Sequence, residues 1–261
     1  MHTAAPKGIV ASTMADEPSE LSELRNPPHP TLKAARRHGL FGRIVWLAVR
    51  IVAAFLLLSA AQVVIYKFVP IPFTWTMLMD SNGATRHWTS LGGIDRTMVD
   101  AAIAGEDAKF CEHHGFDEGA MLQAFRRNQQ GGRIRGGSTI SQQTAKNAFL
   151  WQGGGYFRKG LEAWYTVLIE AVWGKRRIME VYLNLAETGI GTYGVEAGAQ
   201  RYYNKDASHL SRLEAARIAA AFPQPKVRAV VGATGFVRRH GNAIAARAGV
   251  VRGDYDMCVY R

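Results

Sequence analysis

Cysteine is scarce: the 261 residues include only Cys111 and Cys258. Two thiols cannot staple a disulfide scaffold, and no C-x-x-C pair marks a zinc or dithiol site. In an oxidising compartment the two could pair, a point the sequence leaves open. No H-E-x-x-H occurs, so the commonest zinc-hydrolase pattern is excluded. The stretch 132–139 imitates a phosphate-binding loop but lacks its lysine, and the residues before it (Arg126, Arg127, Asn128, Gln129, Gln130) form no buried strand. Nucleotide binding through such a loop is therefore rejected. No period of about 20–50 residues repeats, which excludes a solenoid. Acidic residues are outnumbered, 21 against 32 Lys and Arg, for a net charge of +11. That balance suits phosphates, nucleic acid or acidic headgroups, although a basic, solvated surface alone would also give it.

Apolar residues make up 48% of the chain, enough for a packed core. They concentrate first in 51–66, IVAAFLLLSAAQVVIY, which is apolar except for Ser59 and Gln62. Extended back to residue 44 the run holds 23 residues, and about 20 suffice to cross a bilayer core. Arg50 near one end can snorkel. Lys33, Arg36, Arg37, Arg43 and Arg50 precede or begin the run, whereas Lys67 stands alone after it. The positive-inside rule then puts the N-terminus in the cytoplasm and residues 68–261 outside. A cleaved signal peptide would start nearer the N-terminus and end at small residues, and a core helix would seldom stay apolar all round for so long. An uncleaved anchor is expected.

The chain divides accordingly into a proline-dotted, disordered cytoplasmic tail (1–43), a transmembrane helix (44–66) and one outer domain (67–261). In the outer domain helical signals dominate. Asp95 can cap a helix through Met98, Val99, Ala102 and Ile103. Leu161, Trp164, Tyr165, Leu168, Ile169, Val172 and Trp173 repeat at i, i+3, i+4 and i+7. Ser211 and Glu214 form a capping box opening a helix over 213–222, which Pro223 and Pro225 end. The fold class is mainly α, with any strands short.

Three segments carry chemistry. In the first, Glu106 and Asp107 follow an apolar helix face and precede Phe110, His113 and Gly115. A carboxylate there could sit half-buried at a cleft with its proton affinity raised toward that of a working base. Glu106 and His113 would share a face if the helix continued, but a solvated helix end is the more frequent reading of such a stretch taken alone. In the second, Gly137, Ser138 and Thr139 open a helix carrying Gln142, Gln143, Lys146 and Asn147. The amides suit sugar hydroxyls and Lys146 suits a diphosphate, where a capped helix after a polar loop is the plain alternative. In the third, Arg158, Lys159 and Glu162 form either an i, i+4 ion pair or a second carboxylate beside two cations. No metal-ligating set emerges.

Each segment alone is weak, but their order and spacing resemble the glycosyltransferase 51 family in its monofunctional, membrane-anchored form. The resemblance rests on Glu106-Asp107, Phe110, His113 and Gly115; on Gly136 through Ile140 with Gln142, Gln143, Lys146 and Asn147; and on Arg158, Lys159 and Glu162. It continues through Arg177, Ile178, Met179, Glu180, Tyr182, Leu183 and Asn184, then Gly191, Gly194, Glu196, Ala197 and Tyr202. It implies a lysozyme-like helical domain with a smaller membrane-associated lobe, preceded by one transmembrane helix. It also implies lipid II as acceptor and a lipid-linked glycan strand as donor. Glu106 would be the base for the acceptor's 4-hydroxyl and Glu162 the second essential carboxylate. Lys146, Arg158 and Lys159 would steady the leaving diphosphate. Asp107, Phe110, His113, Gly137, Ser138, Thr139, Gln142, Gln143 and Asn147 would complete the substrate site. The product would be an inverted, β-1,4-linked strand.

No cofactor is obligatory on this reading, with a divalent cation (Mg or Mn) allowed at the diphosphate. Membrane lipids and other cell-wall synthesis proteins are the remaining partners, nucleic acid is not one, and the address is the cytoplasmic (inner) membrane with a periplasmic domain. Relatives carry an Arg where this chain has Gly153, Gly154 and Gly155, so that loop should be floppier. Absence of S-x-x-K and K-T-G favours the monofunctional form. Two alternatives compete: a lytic muramidase-type hydrolase, since one Glu in such a cleft serves both chemistries, and a non-catalytic membrane-anchored cell-wall scaffold.

Overall fold

The computed structural model describes residues 39–129, 137–232 and 234–260, so most of the expected tail lies outside the described residues. Helix α1 runs Leu40–Phe68 and contains the expected span 44–66. It is longer because nothing stops it before Pro70, whose ring disfavours a helical predecessor. Among the described residues it is the one helix long and apolar enough to cross a membrane.

The outer domain is mainly α, the lysozyme-like class the sequence led us to expect. A short helix α2 (Trp75–Leu78) is followed by strand β1 (Thr85–Arg86). Helix α3 (Arg96–Glu106) starts where the Asp95 carboxylate accepts from the Thr97 amide. Then come α4 (Glu118–Gln129), α5 (Ile140–Phe149), α6 (Gly155–Val172) and α7 (Gly174–Leu185). Strands β2 (Glu187–Gly189) and β3 (Thr192–Tyr193) close a three-stranded sheet in the order β1-β3-β2, with β1 parallel and β2 antiparallel to β3. Helices α8 (Val195–Tyr203), α9 (Arg212–Ala221), α10 (Gly235–Val251) and α11 (Met257–Tyr260) complete the domain. The expected Ser211–Glu214 capping box opens α9.

Packing follows the apolar stripes. Helix α5 lies against α6 and α7, while α9 packs on both α3 and α10. Met98, Val99 and Ile103 of α3, Ile140 of α5, Ile178, Met179 and Leu183 of α7, and Ile218 of α9 are fully buried in one core. Burial of each such side chain contributes on the order of 1.5–3 kcal/mol. The sulfur atoms of Cys111 and Cys258 are joined, with their Cα atoms 5.5 Å apart. This bond ties the loop after α3 to α11. Arg96 reinforces it by a two-pronged contact with the fully buried Asp256 carboxylate, at 2.6 and 2.8 Å.

The two polar exceptions in the apolar run have partners on this domain. Ser59 Oγ accepts from Trp164 Nε1 at 3.0 Å, and Gln62 Oε1 accepts from the Tyr165 hydroxyl at 3.3 Å. Trp173 Nε1 donates to the Val63 carbonyl at 2.7 Å. The last turns of α1 are thus fastened to α6 and its C-terminus by polar contacts. Beyond them, Phe68, Val69, Phe73, Trp75, Leu78 and Met79 present large exposed apolar surfaces.

Candidate active site

Helix α3 ends at Glu106 because the chain turns there: Asp107 leaves the helical region, with φ −157° and ψ 77°, and its side chain leaves for another element. The Asp107 carboxylate accepts from the Ile140 amide at 2.9 Å and contacts His113 Nε2 at 3.0 Å. It thereby sits on the first turn of α5, where unpaired amides favour an anion. His113 does not share a helix face with Glu106, as a continued helix would require. It is instead half-buried, folded back onto Asp107, with its Nδ1 accepting from the Gly115 amide.

Two expected ligand-binding side chains serve α5 itself. Thr139 accepts from the Gln142 amide, Gln142 Oε1 accepts from the Thr139 amide, and the Thr139 hydroxyl donates to the Gly115 carbonyl at 2.7 Å. Gln142 is buried in this capping box, so its amide is not turned toward a ligand. Phe110 is fully buried in the core. A methyl group on Gly137 would lie 3.1 Å from the Ala120 carbonyl oxygen, so its glycine allows close packing on α4. Gly136 lies outside the described residues.

One turn further along α5 the chemistry changes. Gln143 Nε2 donates to Glu106 Oε2 at 2.9 Å, bringing the helix that carries Lys146 to the half-buried acid. Burial raises the proton affinity of Glu106 above that of an ordinary carboxyl; the Gln143 bond and the charges of Arg228 and Lys146 oppose that rise. Burial likewise lowers the pKa of Lys146, on which the charges of Glu162, Arg158, Lys159 and Glu106 all act. The charges of both carboxylates thus bear on Lys146. On the far side, Arg158 Nη1 donates to Glu162 Oε2 at 2.8 Å, Lys159 Nζ contacts Glu162 Oε1, and Lys159 Nζ reaches Ser138 Oγ at 3.4 Å.

The glycines at the start of α6 set up this corner. Gly153, Gly154 and Gly155 all have left-handed φ values of 82°, 87° and 57°, which side chains strongly disfavour. The Gly153 carbonyl is the second acceptor for Arg158. The loop expected to be loose thus holds a guanidinium.

Gln143, Lys146 and Asn147 line a groove of about 420 Å³ whose other walls include Thr74, Gln152, Glu187, Phe222 and Lys226. Tyr182 lies in its wall, fully buried, with its ring edge-on to Phe222 at 5.7 Å. At the far end Lys226 Nζ bridges Asp80, at 3.0 Å, and Glu187, at 3.6 Å. Tyr193, Asn82 and Lys226 together hold the Asp80 carboxyl well below the usual range. Sequence reasoning passed over this far-end cluster and Arg228, because their members come from remote segments with no shared local pattern. Among the described residues no group of three or more His, Cys, Asp or Glu is gathered to hold a metal.

A family model described as transglycosylase matches residues 75–248. A biosynthetic peptidoglycan transglycosylase of Caulobacter vibrioides is 47% identical over 221 residues, covering 82% of this chain and 96% of that protein. Proteins of the same name from Rhodospirillum centenum (45% identical over 208 residues; 78% and 90% covered) and Pasteurella multocida (43% over 212; 77% and 86%) are similar as well. The residues matched by the family model include the Glu106, Lys146 and Glu162 segments and reach into α10. The chain belongs to the transglycosylase family and is a glycosyltransferase.

Proposed function

We propose that this enzyme is a peptidoglycan glycosyltransferase that joins lipid-linked disaccharides into glycan strands beside the membrane to which α1 anchors it. The observation that carries the reading is the pairing of an acid and a cation group through one helix. Glu106 is bonded to a neutral amide on α5, and Lys146 stands on the next turn of α5 within the fields of Arg158, Lys159 and Glu162.

In the step proposed, the acceptor's 4-hydroxyl oxygen attacks the anomeric carbon of the donor strand. The new oxygen–carbon bond forms as the bond from that carbon to the diphosphate breaks. The hydroxyl proton passes to Glu106, whose raised affinity suits it to a base's task at neutral pH. The electron pair departs on a diphosphate oxygen, where Lys146, Arg158 and Lys159 offset the developing charge. Glu162 keeps the last two cations in place. Attack opposite the leaving group inverts the centre and gives a β-1,4 link. The carrier released is the lipid diphosphate (undecaprenyl diphosphate), and this scheme needs no obligatory cofactor. The positive-inside asymmetry puts the groove on the periplasmic side of the cytoplasmic membrane, where the exposed apolar side chains from Phe68 to Met79, with Tyr156 and Phe157, meet lipid.

Labelled lipid II in detergent tests the proposal. Wild-type protein should build glycan, and Glu106→Gln should keep its fold yet lose on the order of a thousandfold in rate. Near wild-type polymerisation by that variant would remove Glu106 from its role. Cleavage of pre-made glycan, with no synthesis, would point to a hydrolase instead.

A further inference from the structure

With α1 as a membrane anchor, the residues that follow its apolar run, 66–72, stand at the depth of the lipid headgroups. Two arginines gather the carbonyls of this exit. Arg177 of α7 donates from Nε and Nη2 to the Tyr66 carbonyl, at 3.1 and 2.8 Å, and from Nη2 to that of Val69 at 2.7 Å. Arg86 of β1 donates from Nη2 to the Pro72 carbonyl. Both guanidiniums lie near the half-buried Trp88 ring, Arg177 at 5.3 Å and Arg86 at 5.6 Å from its centroid. Lys67 adds an exposed charge one residue from Tyr66. The two arginines are not equally served. Arg177 has a carboxylate partner, Glu180, which also accepts from the Leu91 amide at 3.1 Å. Arg86 is half-buried, burial lowers its pKa, and its Nη1 has no hydrogen-bond partner among the described residues. A guanidinium so placed is short of an anion.

We propose that Arg86 binds the phosphate of an anionic phospholipid in the leaflet facing the domain, against a wall made by Trp88 and Arg177. The inference rests on the reading of α1 as anchor and not on that of Glu106 as base. The guanidinium fork matches two phosphate oxygens, and an indole is at home at headgroup depth. Lys67, Arg86 and Arg177 face a single carboxylate, Glu180, which favours a headgroup with net negative charge over a zwitterion. Neither arginine nor Trp88 lines the groove that holds Lys146, which sets this corner apart from the reacting diphosphate.

The plain alternative is that Arg86 only caps the Pro72 carbonyl. Full-length wild type, R86Q, R86K and the pair R238Q/R239Q, whose arginines are exposed on α10, separate the two in nanodiscs of phosphatidylcholine with or without phosphatidylglycerol. The readouts are the melting temperature and the phospholipid retained on the protein, counted by native mass spectrometry. For wild type, phosphatidylglycerol should raise the melting temperature by about 3 °C and stay bound in preference to phosphatidylcholine. R86Q should lose most of that rise, R86K should keep part of it, and R238Q/R239Q should keep it all. A cap alone would lower the melting temperature of R86Q equally in both lipids, and that result would overturn the proposal. So would wild type that retains no excess of phosphatidylglycerol, an arm that needs no variant to fold. An equal loss in R238Q/R239Q would mean diffuse attraction and would overturn it too. Lipid II in phosphatidylcholine nanodiscs tests the other source of phosphate. If lipid II raises the melting temperature of wild type but not of R86Q, the site belongs to the substrate and the phospholipid assignment fails. None of these readouts needs polymerisation, so they stand whether or not Glu106 proves to be the base.

Discussion

Glu106 and Glu162 are two acids bearing on one half-buried lysine, and their surroundings are opposite. Glu162 has a cation at each oxygen, Arg158 on one and Lys159 on the other. Glu106 has one neutral donor, Gln143, and a burial that raises its proton affinity. A carboxylate with a cation at each oxygen is placed to hold both cations in a fixed geometry. A buried one with an amide partner takes a proton readily. In the proposed mechanism the contrast divides the labour: one acid does proton chemistry, and the other arranges cations.

That division makes stability and activity move differently in the two variants. Glu106→Gln should show the largest loss of rate, yet its melting temperature should equal or exceed that of wild type. The sign follows from linkage. A carboxyl that holds its proton more tightly in the folded chain stabilises the fold when protonated, and that contribution is lost as pH rises through the folded-state value. At neutral pH the ionised Glu106 therefore burdens the fold, and an amide lifts the burden. Glu162→Gln should lose less rate, on the order of a hundredfold. It should also lower stability by about 1–3 kcal/mol, because charged hydrogen bonds are lost in a site with little water. Thermal melts beside the lipid II assay check both. A stability gain at Glu162, or a loss at Glu106, would break the comparison.

Much of this frame could be read in the residues, and the unread parts have physical reasons. Asp95, Ser211 and Glu214 announced helix starts because capping is local chemistry. The α6 stripe announced its face because periodicity is local too. The Thr139-x-x-Gln142 pattern is also a capping box in plain sequence, and reading its glutamine as a sugar ligand passed over that nearer use. His113 finding Asp107 depends on a turn that ends α3 at Glu106, and no propensity marks that turn. Glu106 receives the Gln143 amide because the end of α3 packs beside α5, a meeting across 37 positions that neither segment encodes alone. Residues whose roles are satisfied within a few positions were legible; those satisfied across helices were not.

The smallest effect should come from Ser59. Its hydroxyl oxygen is the acceptor for the Trp164 indole N–H, on the same helix as Glu162 and two residues from it. Ser59→Ala removes that acceptor while keeping the helix, since alanine is a strong helix former. The indole N–H would then lack its partner, at a cost of about 1 kcal/mol. The neighbouring fastenings, Tyr165 to Gln62 and Trp173 to the Val63 carbonyl, remain and hold α6 near its place. Melting in detergent should therefore drop slightly, and polymerisation should fall less than about threefold. The Glu106 side of the comparison should respond least, because α3 packs mainly on α9 and α10. A changed acid limb of the pH–rate profile in Ser59→Ala would mean that the anchor communicates with the base as well as with the cation site, and the two acids would no longer be separable.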